Sequence, residues 1–206
     1  QANQLTQIIQ EQVFVPFGLF SQNPMVGQLM IGVLLAGVIS LVIFGGIRRI
    51  GRLASRLVPI MVLLYMFCGL IILFGNITKL DDILFLIFRD AFTGHAVAGG
   101  TLGTVMVTGI RRAAFSNEAG IGTESMAHGA AITNEPVREG LVAMLGPMID
   151  TLVVCSITGF AILCTGVWTD SSLNGISMTS AAFREGLPFL GDTMLLIIVS
   201  VFSITT

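Results

Sequence analysis

Charge is what this sequence has least of. Lys, Arg, Asp and Glu together make up 11% of its 206 residues, whereas soluble globular proteins contain about 25%. Hydrophobic residues make up 54%, and the mean hydropathy is +0.91. A water-soluble fold is therefore excluded.

Positive charge and cysteine are also scarce. Ten Lys and Arg stand against twelve Asp and Glu, a formal net charge of −2, which excludes nucleic-acid binding because a phosphate backbone requires a basic surface. Cys68, Cys155 and Cys164 all lie inside apolar runs, a setting typical of small buried side chains and not of disulfides or zinc ligands. No cofactor-binding or metal-ligand spacing is found.

Long uncharged runs are what the sequence has in abundance. A helix needs about 20 mostly apolar residues to cross a hydrocarbon core of about 30 Å. Five runs predict spans, the last one incomplete, at about 25–47, 57–75, 95–110, 141–165 and 192–206. Two stretches, 81–90 and 178–188, are too short to cross and predict helices at the membrane interface. The expected fold is an all-α membrane protein with a single transmembrane domain over 1–206.

The two ends of the chain suggest an internal fragment. It begins at Gln1 without a Met or a signal-peptide pattern, and it ends at Thr206 inside an apolar run. We therefore expect a piece of a longer protein.

Basic residues predict the orientation of the spans, since cytoplasmic loops are enriched in Lys and Arg. If the spans alternate, seven basic residues share one side and three share the other. The larger group, expected inside, is Arg48, Arg49, Arg52, Arg56, Arg111, Arg112 and Arg138. The smaller group, expected outside, is Lys79, Arg89 and Arg184.

The third span has the most informative pattern, because its glycines cluster near the middle of the membrane. Counting inward from Arg111 at about 1.5 Å per residue places the midplane near residue 101. The glycines and hydroxyls there are Gly99, Gly100, Thr101, Gly103 and Thr104. Two interpretations stay open: a tight packing seam, or a broken helix whose free N–H groups and carbonyls bind a ligand. In the second case Thr101 and Val105, one turn apart, would line the side-chain pocket.

A polar cluster lies directly inside the third span. Ser116, Asn117 and Glu118 follow two arginines. Either Ser116 or Asn117 caps a following helix that carries Glu118 in its first turn, or the three side chains form a gate that closes the inner mouth.

Asp150 is the only carboxylate well inside a predicted span, about 14 Å deep, where a charge is costly and usually paired or functional. It is either a partner of a coupling cation or a hydrogen-bonded structural residue beside Pro147. An intramembrane enzyme would need Asp150 and His128 to share a pocket, and their predicted depths differ. A lone His is more often structural, so we assign His128 no role.

Several motifs resemble one family. Phe115-Ser116-Asn117-Glu118-Ala119-Gly120-Ile121-Gly122 and the run from Pro136 to Pro147 are highly specific, and the match extends over most of the chain. They are similar to the alanine or glycine:cation symporter family. The resemblance implies a secondary transporter with inverted five-helix repeats and broken first and sixth helices, in the plasma membrane of a bacterium or archaeon. The chain would run from the outer half of the third helix into the eighth.

The resemblance also implies roles for particular residues. Gln1 matches a Gln of the third helix that faces the substrate, and the glycine region would bind alanine or glycine. Hydroxyls of the eighth helix would bind the coupling ion, sodium or sometimes a proton; here these are Thr205 and Thr206, with Ser203 as an alternative. The pattern alone favours hydroxyls of Thr205 and Thr206 that bond their own helix at i−4 or bridge two helices, and it is the resemblance that favours the cation. A channel is a further alternative for the function.

Overall fold

The computed structural model describes residues 2–18, 23–92, 102–117, 122, 125 and 128–205. Every regular element in these ranges is helical, which confirms the all-α prediction. The chain divides into two compact units: one contains residues 1–75 and 161–206, and the other contains residues 76–160.

The first unit contains two long helices and several shorter helical elements. Helix α1 (Ala2–Ile9) continues into a π-helical turn, Gln10–Phe14. Helices α2 (Pro24–Ile43) and α3 (Ile47–Gly75) follow. After a short 3₁₀ helix, Val167–Thr169, the unit ends with α9 (Ile176–Gly186) and α10 (Gly191–Thr205).

The second unit contains α4 (Ile77–Phe92) and α5 (Leu102–Ser116). A longer helical run then consists of α6 (Pro136–Ala143), α7 (Leu145–Ile149), a π-helix over Asp150–Cys155, and α8 (Ser156–Thr165), whose last residues belong to the first unit.

The core of the first unit lies where α9 and α10 pack against α1 and α3. Phe183 is the largest fully buried side chain there, and its ring stacks on Tyr65 with centroids 5.5 Å apart. Leu5, Ile72 and Leu195 are each 1% exposed in the same cluster. This packing fixes the loop helix α9 against the helices around it.

Among the described residues, three helices are long and apolar enough to cross a membrane: Met25–Ile43, Arg49–Gly75 and Pro136–Thr165. Helix α10 is shorter, with 15 residues, as far as Thr205. The predicted third span, 95–110, lies partly outside the described residues, and its described helix runs to Ser116, beyond the predicted end.

Two helices extend beyond their predicted spans at the basic ends. Helix α3 begins at Ile47, not at Leu57, and the helical run to Thr165 begins at Pro136, not at Leu141. The cause is physical: hydropathy marks the part of a helix that hydrocarbon accepts, whereas backbone hydrogen bonding continues into water. Pro136 is also suited to a first helical position, where no N–H is needed.

The first predicted span ends earlier than expected. Helix α2 stops at Ile43, and Gly46 adopts a φ of +73° in the turn that follows. A side chain is strained at this φ, so glycine permits the sharp reversal from α2 into α3.

Both predicted interfacial stretches are helical. Helix α4 covers the apolar run bracketed by Asp81 and Asp90, and α9 covers most of 178–188. Their location at a membrane interface stays a prediction.

The loop before α9 contains a local carboxylate turn. The Ser172 hydroxyl and backbone N–H donate to Asp170 Oδ1 at 2.7 and 2.9 Å. Both hydrogen bonds favour the carboxylate and lower the pKa of Asp170 below its ordinary value. These two hydrogen bonds therefore stabilise the turn fully at pH values above the ordinary pKa of an aspartate. The stabilisation is lost as the pH falls through the lowered pKa of Asp170.

Candidate functional site

The predicted substrate residues are only partly described. Gln1, Gly99, Gly100 and Thr101 lie outside the described residues. Gly103, Thr104 and Val105 belong to the first turn of α5. Gly103 and Thr104 are thus part of the helix that begins at Leu102, and the break itself stays a prediction.

The predicted gate residues lie at the other end of the same helix. Ser116 is the last residue of α5, and the backbone N–H of Asn117 donates to the Ala113 carbonyl at 3.0 Å. These two residues therefore end the preceding helix, so the idea that one of them begins the next helix is not supported. Glu118 lies outside the described residues.

Asn117 makes a side-chain contact that the sequence did not predict. Its Nδ2 donates to Thr151 Oγ1 at 2.7 Å, and the Thr151 hydroxyl lies 3.1 Å from Asn117 Oδ1. Thr151 is part of the π-helix over Asp150–Cys155. The end of α5 is thus joined to an irregular turn of the 136–165 helix.

Asp150 begins that π-helix and is half-buried. The Cys155 thiol donates to its Oδ2 at 3.7 Å. In a π-helix the hydrogen-bonded turn closes between residues i and i+5, which brings these two side chains above one another. This contact fits the structural interpretation of Asp150, and its position in a π-helix fits a functional one, because such turns occur frequently at functional sites.

His128 pairs with Glu139. The ring Nδ1 lies 2.7 Å from Glu139 Oε1, and both side chains are about one-third exposed, at 34% and 27%. Glu139 is a carboxylate in the first turn of α6, so the contact ties the segment before α6 to the start of that helix.

The hydroxyls predicted for a cation lie at the end of α10. The Thr205 hydroxyl donates to the Val201 carbonyl at 2.9 Å and lies 3.2 Å from the Phe202 carbonyl. Ser203 is 7% exposed, and its Oγ has no hydrogen-bond partner in the described part of the chain. Thr206 lies outside that part.

The two hydroxyls differ in what they can still bind. Thr205 uses its proton within its own helix, which leaves the oxygen lone pairs available to a cation. Among the residues that the structure describes, Ser203 finds no partner for its proton or its lone pairs, a state that costs about 1–3 kcal/mol when the group is buried. Hydroxyl and carbonyl oxygens are suitable ligands for hard cations.

A polar cluster in the first unit was not predicted. Gln12 Nε2 donates to Ser180 Oγ at 3.0 Å and to Asp192 Oδ1 at 3.3 Å. Arg184 Nε donates to the other oxygen of Asp192 at 2.8 Å. The cluster connects α9 to the π-turn after α1 and to the first turn of α10.

A second set of hydrogen bonds lies beside it. Ser177 Oγ donates to Glu11 Oε1 at 2.9 Å, and Gln7 Nε2 donates to Ser177 Oγ at 2.8 Å. Gln7 and Glu11 lie one turn apart and their side chains bond each other at 3.0 Å, a polar spacing that the sequence shows, but no local pattern identifies their partner Ser177.

No group of three or more His, Cys, Asp and Glu side chains that could hold a metal ion occurs among the residues that the structure describes. This finding does not bear on the hydroxyl and carbonyl oxygens of a sodium site.

Long apolar helices that carry polar groups in their interior define the class of this protein as a helical membrane protein. Within that class the chain belongs to the sodium:alanine symporter family, since the sequence model of that family matches residues 1–206. The family resemblance seen in the sequence is thereby confirmed. Because the family consists of transporters, the enzyme hypothesis built on Asp150 and His128 is rejected.

Three relatives illustrate the range of named activities. A sodium/alanine symporter of Methanococcus maripaludis is 39% identical over 81% of this chain and 37% of its own length. A probable sodium/glutamine symporter of Bacillus subtilis is 37% identical over 85% of this chain and 37% of its own. A sodium/proton-dependent alanine carrier protein of Bacillus sp. strain PS3 is 32% identical over 91% of this chain and 45% of its own.

The chain spans less than half the length of these curated relatives. No solved structure matches it.

Proposed function

We propose that the whole protein is a multi-pass plasma-membrane symporter of a bacterium or archaeon that moves alanine or glycine together with sodium. The observation that carries this proposal is the match of the sodium:alanine symporter family to residues 1–206. Relatives named for sodium and alanine support the same substrate and ion. We propose alternating access on a fold of inverted repeats, in which this chain is the part from the third helix into the eighth.

The substrate site that we propose uses the region around the start of α5. Helix α5, with 15 residues from Leu102, supports this, because the first N–H groups of a helix and its positive dipole end attract a carboxylate. Carbonyls before the helix would accept the ammonium group. The proposed substrate residues are Gln1, Gly99, Gly100, Thr101, Gly103, Thr104 and Val105.

The cation site that we propose is the inner part of α10. The buried Ser203 hydroxyl, without a partner in the described residues, and the Thr205 oxygen, with its proton already donated, both support an incoming positive charge. Thr206 is proposed as the third oxygen ligand. Sodium is the coupling ion that we propose, and a proton is the alternative.

The gate that we propose consists of Ser116, Asn117 and Glu118. Its support is that Asn117 ends α5 and bonds a second helix through its side chain. A contact of this kind is able to break and re-form as the inner mouth opens and closes.

The test is uptake by the full-length protein in proteoliposomes. We expect an inward sodium gradient to drive saturable accumulation of labelled alanine and glycine, with little uptake when choline replaces sodium. A proton gradient without sodium and labelled glutamine are the two further arms, since relatives are named for both. Uptake of glutamine without uptake of alanine or glycine would show that the proposed substrate is wrong. Flux that does not saturate would indicate a channel.

A further inference from the structure

The 136–165 helix contains a π-helical turn, and that turn carries the contact to α5. Over Asp150–Cys155 the backbone is π-helical, between α-helical segments on both sides. Such turns are rare and concentrate at functional sites, because they expose side chains and carbonyls that a regular helix would hide. The side chain that this turn directs toward α5 is Thr151.

Thr151 uses its hydroxyl differently from other threonines of this chain. Thr158 and Thr165 donate to carbonyls of their own helix four residues earlier, at 2.7 and 2.8 Å. Thr151 instead meets the amide of Asn117, 34 residues away, as acceptor at 2.7 Å and with its hydroxyl 3.1 Å from Asn117 Oδ1. The pair joins two helices through neutral groups.

The position of this pair fits an element that moves. Asn117 is half-buried and Thr151 is exposed within the described structure. A hydrogen bond between two neutral groups is weaker than one to a charged group, so it costs less to break. Asn117 is held to the end of α5 by its backbone bond to Ala113 at 3.0 Å, so its side-chain bond to Thr151 links that helix end to the π-turn.

We propose that Thr151 is a positioning residue of the transport cycle, which holds the inner end of α5 against the π-turn so that the two shift together when the inner mouth changes state. This inference rests on the proposed function. It adds to that function a residue of the 136–165 helix that acts through Asn117 and does not touch the substrate.

The test compares two threonines of the same helix. Thr151→Val is nearly isosteric and removes both polar contacts, whereas Thr165→Val, the control, removes a hydroxyl that lies 2.8 and 3.1 Å from two carbonyls of its own helix. We expect Thr151→Val to lower the maximal rate of alanine uptake about fivefold or more and to change equilibrium alanine binding by less than about twofold, because gating alters populations and rates and not ligand contacts. Thr165→Val should match the wild type.

Two further variants separate positioning from packing. Thr151→Ser keeps the hydroxyl and should restore most of the rate. Asn117→Ala combined with Thr151→Val should be no slower than either single variant, because both remove the same contact. If Thr151→Val cannot be purified, Asn117→Ala and Thr151→Ser are compared instead. A low maximal rate of alanine uptake in Asn117→Ala, together with a normal rate in Thr151→Ser, supports the proposal.

The outcomes that overturn the inference are distinct from failure of the function. If wild-type liposomes show no sodium-driven uptake, the proposed function is wrong. If the wild type transports and Thr151→Val is equally fast, or Thr151→Ser is as slow as Thr151→Val, or the double variant is slower than both singles, only the role of Thr151 is wrong.

Discussion

Hydroxyl side chains of this chain differ in where their protons go. Thr158, Thr165, Ser200 and Thr205 each donate to a carbonyl of their own helix. This is the ordinary use of a hydroxyl in an apolar helix, where water is unavailable. Ser203 departs from it, because its buried oxygen has no partner in the described residues.

Ser203→Ala tests whether that oxygen serves a cation. If it binds sodium, we expect the sodium concentration for half-maximal alanine uptake to rise about tenfold, which corresponds to about 1.4 kcal/mol. Ser200→Ala is the control, since its hydroxyl bonds the Leu196 carbonyl at 2.7 Å. The measurement is a sodium-dependence curve for each variant in proteoliposomes.

The opposite outcome has its own physical signature. If Ser203 is only an unpaired polar atom, its removal should raise thermal stability in detergent and leave the sodium curve unchanged, because a desolvated hydroxyl without a partner is a cost. That combination would argue against Ser203 as a ligand and leave Thr205 and Thr206 as the proposed ones.

Gly100→Leu tests the proposed substrate region. We expect alanine binding to be lost while membrane insertion is retained, because the added side chain fills the space that a ligand would need beside the backbone. Gly109→Leu is the control in α5, at a position where an added Cβ meets nothing within 4 Å. Radiolabelled alanine binding to the purified variants measures the effect, and normal affinity of Gly100→Leu would refute the assignment.

Helix α9 is held in place by both apolar and polar contacts. Its Phe183 lies in the core against Tyr65, and its polar side chains bond Gln12 and Asp192. The turn into α10 is equally tight, since a Cβ on Gly191 would collide with the backbone carbonyl of Phe183. A loop helix held by both apolar and polar contacts is expected to keep its place when neighbouring segments move.

Gly191→Ala should therefore destabilise the protein by about 1–3 kcal/mol, the usual cost of overpacking. Gly186→Ala should destabilise as well, because the new Cβ would lie 2.6 Å from Cγ1 of Ile72, a buried β-branched side chain with little freedom to rotate. Gly51→Ala, in open space on α3, should be neutral or slightly stabilising, as alanine favours helix by about 1 kcal/mol. Thermal unfolding in detergent measures all three, and equal melting temperatures would contradict the predicted order.

At the scale of the whole molecule, the basic residues predict which loops face the cytoplasm. Seven basic residues lie on one predicted side and three on the other. The loop over 129–135 should then be inside, and the loop over 166–175 should be outside.

Cysteine labelling tests this topology. Ser171→Cys should react with a membrane-impermeant maleimide in intact cells, whereas Ala131→Cys should react only in inverted vesicles, because both positions are exposed and lie on opposite predicted sides. The unsubstituted protein gives the background from Cys155, which is exposed, and from the buried Cys68 and Cys164. The reverse pattern of labelling would invert the proposed orientation.

Hydropathy patterns in the sequence predicted the long apolar helices, but they did not predict hydrogen bonds between residues that are far apart in the chain. The apolar runs located α2, α3 and the 136–165 helix, since a membrane admits little else. The basic ends of α3 and α6 were missed because hydropathy does not register backbone hydrogen bonds in water. Gln12 and Ser180 are 168 residues apart and Asn117 and Thr151 are 34 apart, so no local pattern pairs them.

The π-turn at Asp150–Cys155 finally bears on how sequences of this family should be aligned. A π-turn accommodates one residue more than the same stretch of α-helix, and it absorbs that residue locally. Side chains before Asp150 and after Cys155 therefore keep the faces they would have in an uninterrupted helix one residue shorter. A relative with a regular α-helix here should align with a gap of one residue, and deletion of Leu152 should preserve the packing of both flanks while removing the turn itself.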